Sequence, residues 1–116
     1  SGLAMRSDRQ RLLDILEAII KIQQHVGDAI ESFADDEMQQ VWVIHHLQIV
    51  GEAANGLSQR IKVDNPQVPW EQIIGMRHVL VHGYFGIDLD IVWAVIEKDL
   101  APLKSAIEAI LDQSED

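Results

Sequence analysis

Arg77, His78, His82 and Tyr84 fall within one octapeptide, Arg77-His78-Val79-Leu80-Val81-His82-Gly83-Tyr84. These are side-chain types that handle protons and phosphate. A phosphodiester cleaved by its own 2′-hydroxyl needs a base, an acid for the leaving oxygen, and a cation for the charge that builds on phosphorus. Histidine transfers protons near neutral pH, an effect worth roughly 10²–10⁴-fold in rate. Arginine stays protonated and presents a planar fork that matches phosphate oxygens. That chemistry needs no metal. At about 100° per residue, Ile73, Ile74, Met76, Leu80 and Val81 form one apolar stripe with Arg77 in its middle, and His78 and His82 lie on its flank. A guanidinium on a core-facing stripe is costly unless an anion meets it. A substrate phosphate would serve. So would an internal carboxylate, with Glu52 the candidate ion-pair partner, and the histidines would then be bystanders. The C-terminus of a helix favours a protonated imidazole at His82, which suits it to acid or phosphate-binding duty.

A metal reading competes. His78 and His82 are four residues apart, a spacing that lets two imidazoles share an ion, and His45 and His46 could add ligands. Against it, the chain has no cysteine and no His-Glu-x-x-His pattern, and Arg77 would repel a cation. The site is therefore expected to hold no metal and no cofactor. His25 stands alone in the first helix and reads as a surface or boundary residue.

The elements that must position these residues all read as helix. Leu12, Ile15, Leu16, Ile19, Ile22, Val26 and Ile30 recur at three- and four-residue steps, an amphipathic first helix. Asp35, Asp36 and Glu37 supply N-cap candidates for a second helix, expected from about Glu37 to Ile61. Its main stripe is Val43, Leu47, Val50, Ala54, Leu57 and Ile61. A second stripe, Trp42, Ile49 and Gly56, lies beside it, and one way to cover it is another subunit. Gly51, Ala53, Ala54 and Gly56 leave room for a close neighbour. Asn65-Pro66-Gln67-Val68-Pro69 is the clearest break, with Pro69 expected in the first turn of the motif helix. That helix should stop at Gly83. Gly86-Ile87-Asp88 reads as a turn with Asp88 as N-cap. The last helical stretch, through Leu89, Val92, Trp93, Ile96 and Leu100, is expected to be kinked or restarted by Pro102. The fold class is all-α: an up-and-down bundle of four to five helices.

The chain has 116 residues, enough for one domain. Residues 1–4 read as an expression-tag remnant and residues 5–116 as a single helical domain. No apolar run approaches the roughly 18 residues of a membrane span, which with the lack of cysteine fits a cytoplasmic protein. The formal net charge is −10, from 9 Lys+Arg against 19 Asp+Glu. Such a balance argues against gripping long nucleic acid along its length. It leaves room for a small cationic site that handles one phosphodiester, and it suits a basic surface on a partner.

Arg77-x₄-His82-x-Tyr84 resembles the Arg-x₄-His-x-Tyr signature of HEPN-domain toxins of the HepT-like family. Ile49-Val50-Gly51-Glu52-Ala53-Ala54, Val68-Pro69-Trp70-Glu71-Gln72-Ile73 and Asp88-Leu89-Asp90-Ile91-Val92-Trp93 resemble other segments of that family in the same order, so the likeness runs from about Arg6 to Leu111. It implies a HEPN-like helical domain and a metal-independent endoribonuclease toxin. Arg77 and His82 would be catalytic, and His78, where the family often has asparagine or aspartate, would support them. It also implies a homodimer whose two motif helices share one cleft. The implied partner is a minimal nucleotidyltransferase antitoxin, which would silence the toxin by adding AMP to Tyr84, with a larger hetero-oligomer of the two among the assemblies the resemblance allows. The rival reading of the same motif is a non-catalytic helical module that docks with the nucleotidyltransferase. Tyr84 as a plain packing residue is the simpler alternative at that position.

Overall fold

Ser7 opens the first helix with a reciprocal cap: its Oγ accepts from the Gln10 N–H at 3.1 Å, and the Gln10 Oε1 accepts from the Ser7 N–H at 2.9 Å. The structure is a computed structural model. It describes the backbone of residues 6–26, 30–82 and 88–114, and their side chains except at 30, 77–82 and 114. Among the described residues every regular element is helical: α1 (Asp8–His25), α2 (Ile30–Ala34), α3 (Glu37–Gly56), α4 (Gln59–Asp64), α5 (Trp70–His82), α6 (Leu89–Ala94), a π-helical segment (Val95–Asp99) and α7 (Leu100–Ser114). The all-α expectation holds. α6, the π segment and α7 form one rod, so four long rods and two short helices make the bundle.

α3 is the central rod, with α1 and α5 both packed on it, and α7 lies along α1. Leu12, Ile15, Ile19 and Ile22 of α1 meet Val43, Leu47 and Val50 of α3 and Leu100 and Ile107 of α7 in one core. Each such side chain removed from water contributes about 1.5–3 kcal/mol. Phe33 of α2 is fully buried and stacks on Trp93 of α6, ring centroids 5.5 Å apart.

Two expected helices are each two. The first does not run to Ile30: α1 ends at His25, and Val26 is extended at φ −109°, ψ 131°. The Gln39 side-chain amide then donates to the freed His25 carbonyl at 3.0 Å, and Gln40 donates to the Phe33 and Ala34 carbonyls that end α2. Gly27 lies outside the described residues. The second does not run to Ile61: α3 ends at Gly56, Leu57 turns in to be buried, and Ser58 caps α4 through the Ile61 N–H at 3.3 Å. Asp8 fixes that break from 50 residues away, accepting from the Ser58 N–H at 2.8 Å and hydroxyl at 2.6 Å.

Pro69 stands one residue before α5 rather than in its first turn, and its carbonyl accepts from the Ile73 N–H at 3.1 Å. The helix is interrupted just ahead of Pro102: α6 ends at Ala94, the π segment spans Val95–Asp99, and α7 begins at Leu100, two residues before the proline. A proline cannot donate to the carbonyl four residues back, and the helix widens just before it instead, with the Leu100 N–H reaching the Val95 carbonyl five residues back. Asp88 caps α6 as expected, its carboxylate accepting from the Asp90 and Ile91 N–H groups. Gly86 and Ile87 lie outside the described residues.

Candidate functional site

The motif helix is aimed from its first turn. Val68 donates back to the Asn65 carbonyl at 3.2 Å, and the buried Trp70 closes the turn by giving its indole N–H to the same carbonyl at 3.0 Å. From there α5 runs 13 residues to His82. Arg77, His78 and His82 thus sit on its last turns, on backbone that is helical up to the residue before Gly83. Ile73 and Ile74, which precede Arg77 by four and three residues, are half-buried and pack on the core. The side chains of Arg77, His78 and His82, and Tyr84 and Gly83 altogether, lie outside the described residues, as does the expected Arg77–Glu52 pair.

Two concave surfaces flank α3. Between α5 and the α6–α7 rod lies an apolar cleft of about 680 Å³, bordered by Val68, Ile73, Met76, Ile91, Val95 and Leu103. Between α1 and the outer face of α3 lies a groove of about 340 Å³, lined by Arg6, Arg11, Asp14, His45, Gln48 and Glu52 together with the apolar Ile49 and Ala53. Glu52, the acid singled out beside the motif, is exposed on α3 and belongs to this groove.

The groove was not legible as a site, because its cations come from α1 and its imidazole from α3. Its one local signal is Gly56, where a Cβ would collide with the Arg11 guanidinium. Sequence reasoning gave the room at Gly56 to a neighbouring helix, and a side chain fills it. His46 is not available beside His45: it is buried, and its Nδ1 lies 2.7 Å from the Trp42 carbonyl. A carbonyl only accepts, so Nδ1 carries the proton. His25, expected at the surface or boundary, is exposed and meets Trp42 edge-on at 5.0 Å. Among the described residues, no three of His, Cys, Asp and Glu are grouped as metal ligands, and no helix is long and apolar enough to cross a membrane.

An all-α bundle carrying an Arg-x₄-His helix defines the class of protein. Residues 15–110 match the family described as "Ribonuclease HepT-like", and the chain belongs to that family. It is 35% identical over 106 residues, 90% of this chain and 96% of the relative, to a Thermococcus cleftensis protein named "Probable ribonuclease HepT". It is 30% identical over 109 residues, 93% of this chain and 100% of the relative, to a Methanocaldococcus jannaschii protein named "Putative RNase". No solved structure gives a significant match.

Proposed function

We propose that this chain is a metal-independent endoribonuclease, working as a homodimer and acting as the toxin of a toxin–antitoxin pair. One observation carries the reading: Arg77-x₄-His82 occupies the C-terminal end of α5 in a chain of the HepT-like ribonuclease family. In the reaction the 2′-oxygen attacks phosphorus, the 5′-oxygen leaves, and the products are a 2′,3′-cyclic phosphate and a 5′-hydroxyl. The 2′-hydroxyl proton passes to His78 or to a water molecule acting as base, His82 delivers a proton to the leaving oxygen, and Arg77 meets the phosphoryl oxygens as their charge grows; His78 otherwise orients the pair.

The homodimer reading is supported by the first turns of α3, ahead of the groove residues. Met38 is 81% exposed and Val41 61%, and Trp42 of the second stripe is 38% exposed, so these three are left largely uncovered among the described residues. A second copy over this face would bring two motif helices toward one composite site.

The test is expression and purification of wild type beside His82→Ala. Wild type is expected to cut single-stranded RNA in the presence of EDTA and to arrest growth, and His82→Ala to lose at least about 10²-fold in rate with an unchanged melting temperature. A wild-type protein that cuts no RNA, or a variant that cuts as fast, rejects the assignment.

The partner in this reading is a nucleotidyltransferase that uses ATP: the Tyr84 phenol attacks the α-phosphorus, pyrophosphate leaves, and Tyr84 carries AMP. The added charge and bulk would stand two residues from His82 and compete for Arg77. Co-expression with the partner is expected to add AMP-sized increments to the intact mass of wild type and none to Tyr84→Phe; increments that persist in the variant move the modification elsewhere.

A further inference from the structure

We infer that the groove between α1 and α3 is a second nucleotide subsite, holding a residue of single-stranded RNA one helix away from the scissile phosphate, with Arg11 as its phosphate contact. The inference rests on the ribonuclease reading and extends it.

The volume, about 340 Å³, is at the lower end of pockets that take small ligands, a size for a single nucleotide rather than a duplex. The charges in the groove are not equivalent. Arg6 is closed off by Asp14, whose Oδ1 lies 2.9 Å from its Nη2. Among the described residues Arg11 has no such partner. Its guanidinium lies across the end of α3 on the bare Cα of Gly56, and its Nε is buried with no hydrogen-bond partner among the described residues. A charged donor group held in place with a donor unmet is a standing cost, and a phosphate beside that guanidinium offsets it through charge-assisted bonds.

The rest of the groove suits a base. The His45 ring is exposed to the groove and stands edge-on against His46 at 5.1 Å, and His46 is itself fixed by the Trp42 carbonyl. An imidazole held in this way offers a face for stacking, as single-stranded RNA recognition commonly uses. Gln48 can meet either donors or acceptors on a base edge. Asp14, one turn beyond Arg11 on α1, is taken up by Arg6, which leaves the Arg11 guanidinium as the phosphate contact of the groove. Both α1 and α5, the motif helix, pack on α3, so a single strand engaged at both the motif helix and the groove would have only α3 to cross.

The experiment measures cleavage of a labelled single-stranded RNA of about ten nucleotides by wild type, Arg11→Gln and Gly56→Ala, with KM and kcat followed across a salt series. Arg11→Gln is expected to raise KM about tenfold with kcat unchanged, the pattern of lost ground-state binding. Its log–log salt slope should be shallower by about 0.7, the change for one single-strand phosphate contact. Gly56→Ala is expected to raise KM in the same direction, because the added methyl displaces Arg11, while its melting temperature does not fall, since alanine favours helix over glycine. KM and salt slope both unchanged in Arg11→Gln, or a fall in kcat at constant KM, overturns the subsite and leaves the ribonuclease assignment standing. Wild type that cuts no RNA overturns both.

Discussion

Asp8 shows how much one carboxylate can organise. Its two oxygens take the N–H and hydroxyl of Ser58 at 2.8 and 2.6 Å, so the first residue of α1 defines where α3 stops and α4 starts. Both bonds are part-buried, and bonds to a charged acceptor contribute about 1.5–3 kcal/mol. Asp8→Ala is expected to lower unfolding free energy by about 2 kcal/mol, read as a shifted midpoint in urea, with the slope unchanged. At this scale the sequence was informative where capping is local. Asp36 and Asp88 were recognisable as caps, because an acidic side chain just ahead of a helical run accepts from N–H groups two or three residues on in its own helix. Asp8 was not, because its partner is 50 residues away.

Among the elements, the helices were legible and their ends were not. A stripe at three- and four-residue steps continues unchanged across a break when the residues on both sides face the same core. Leu57, on the expected stripe, is buried after α3 has already ended, and Ile61 is half-buried on α4. Periodicity reports the core-facing side and says little of where hydrogen bonding stops. Pro102 is the converse: a helix breaker by type, tolerated because the preceding turn is widened. In an ordinary helix interior proline costs about 3 kcal/mol relative to alanine. Pro102→Ala is therefore expected to stabilise the protein, by less than that amount because the π segment already accommodates the ring. Urea denaturation checks this; a destabilised variant would show that the proline fixes a geometry the bundle needs.

For the whole molecule, the net charge of −10 and the exposed first turns of α3 bear on the proposed association with RNA and with a second copy. An acidic body leaves few cations for phosphate, so RNA binding should depend on a small number of contacts and show a shallow salt dependence. The apolar part of the α3 face is compact: Met38, Val41 and Trp42 span little more than one helical turn. Val41→Glu places a charge at its centre and is expected to sediment as a monomer where wild type, in the proposed assembly, sediments as a dimer, while the far-UV spectrum stays helical. Cleavage should fall with it if the site is shared between subunits. A monomeric wild type, or a variant whose mass is unchanged, would assign that face another role.

The sequence by itself determined the helical class, the core stripes of α1 and α3, and the helix that carries Arg77, His78 and His82. Those properties follow from residue type and spacing within one element, where the backbone repeat alone sets which side chains share a face. The tertiary structure alone decided what meets across elements. It set Asp8 on Ser58, laid Arg11 over Gly56, buried His46 while leaving His45 in a groove, and gathered Arg6, Asp14 and Glu52 around it. These contacts join residues 40 or more apart in the chain or depend on which flank of α3 each neighbour covers, and no local periodicity encodes either.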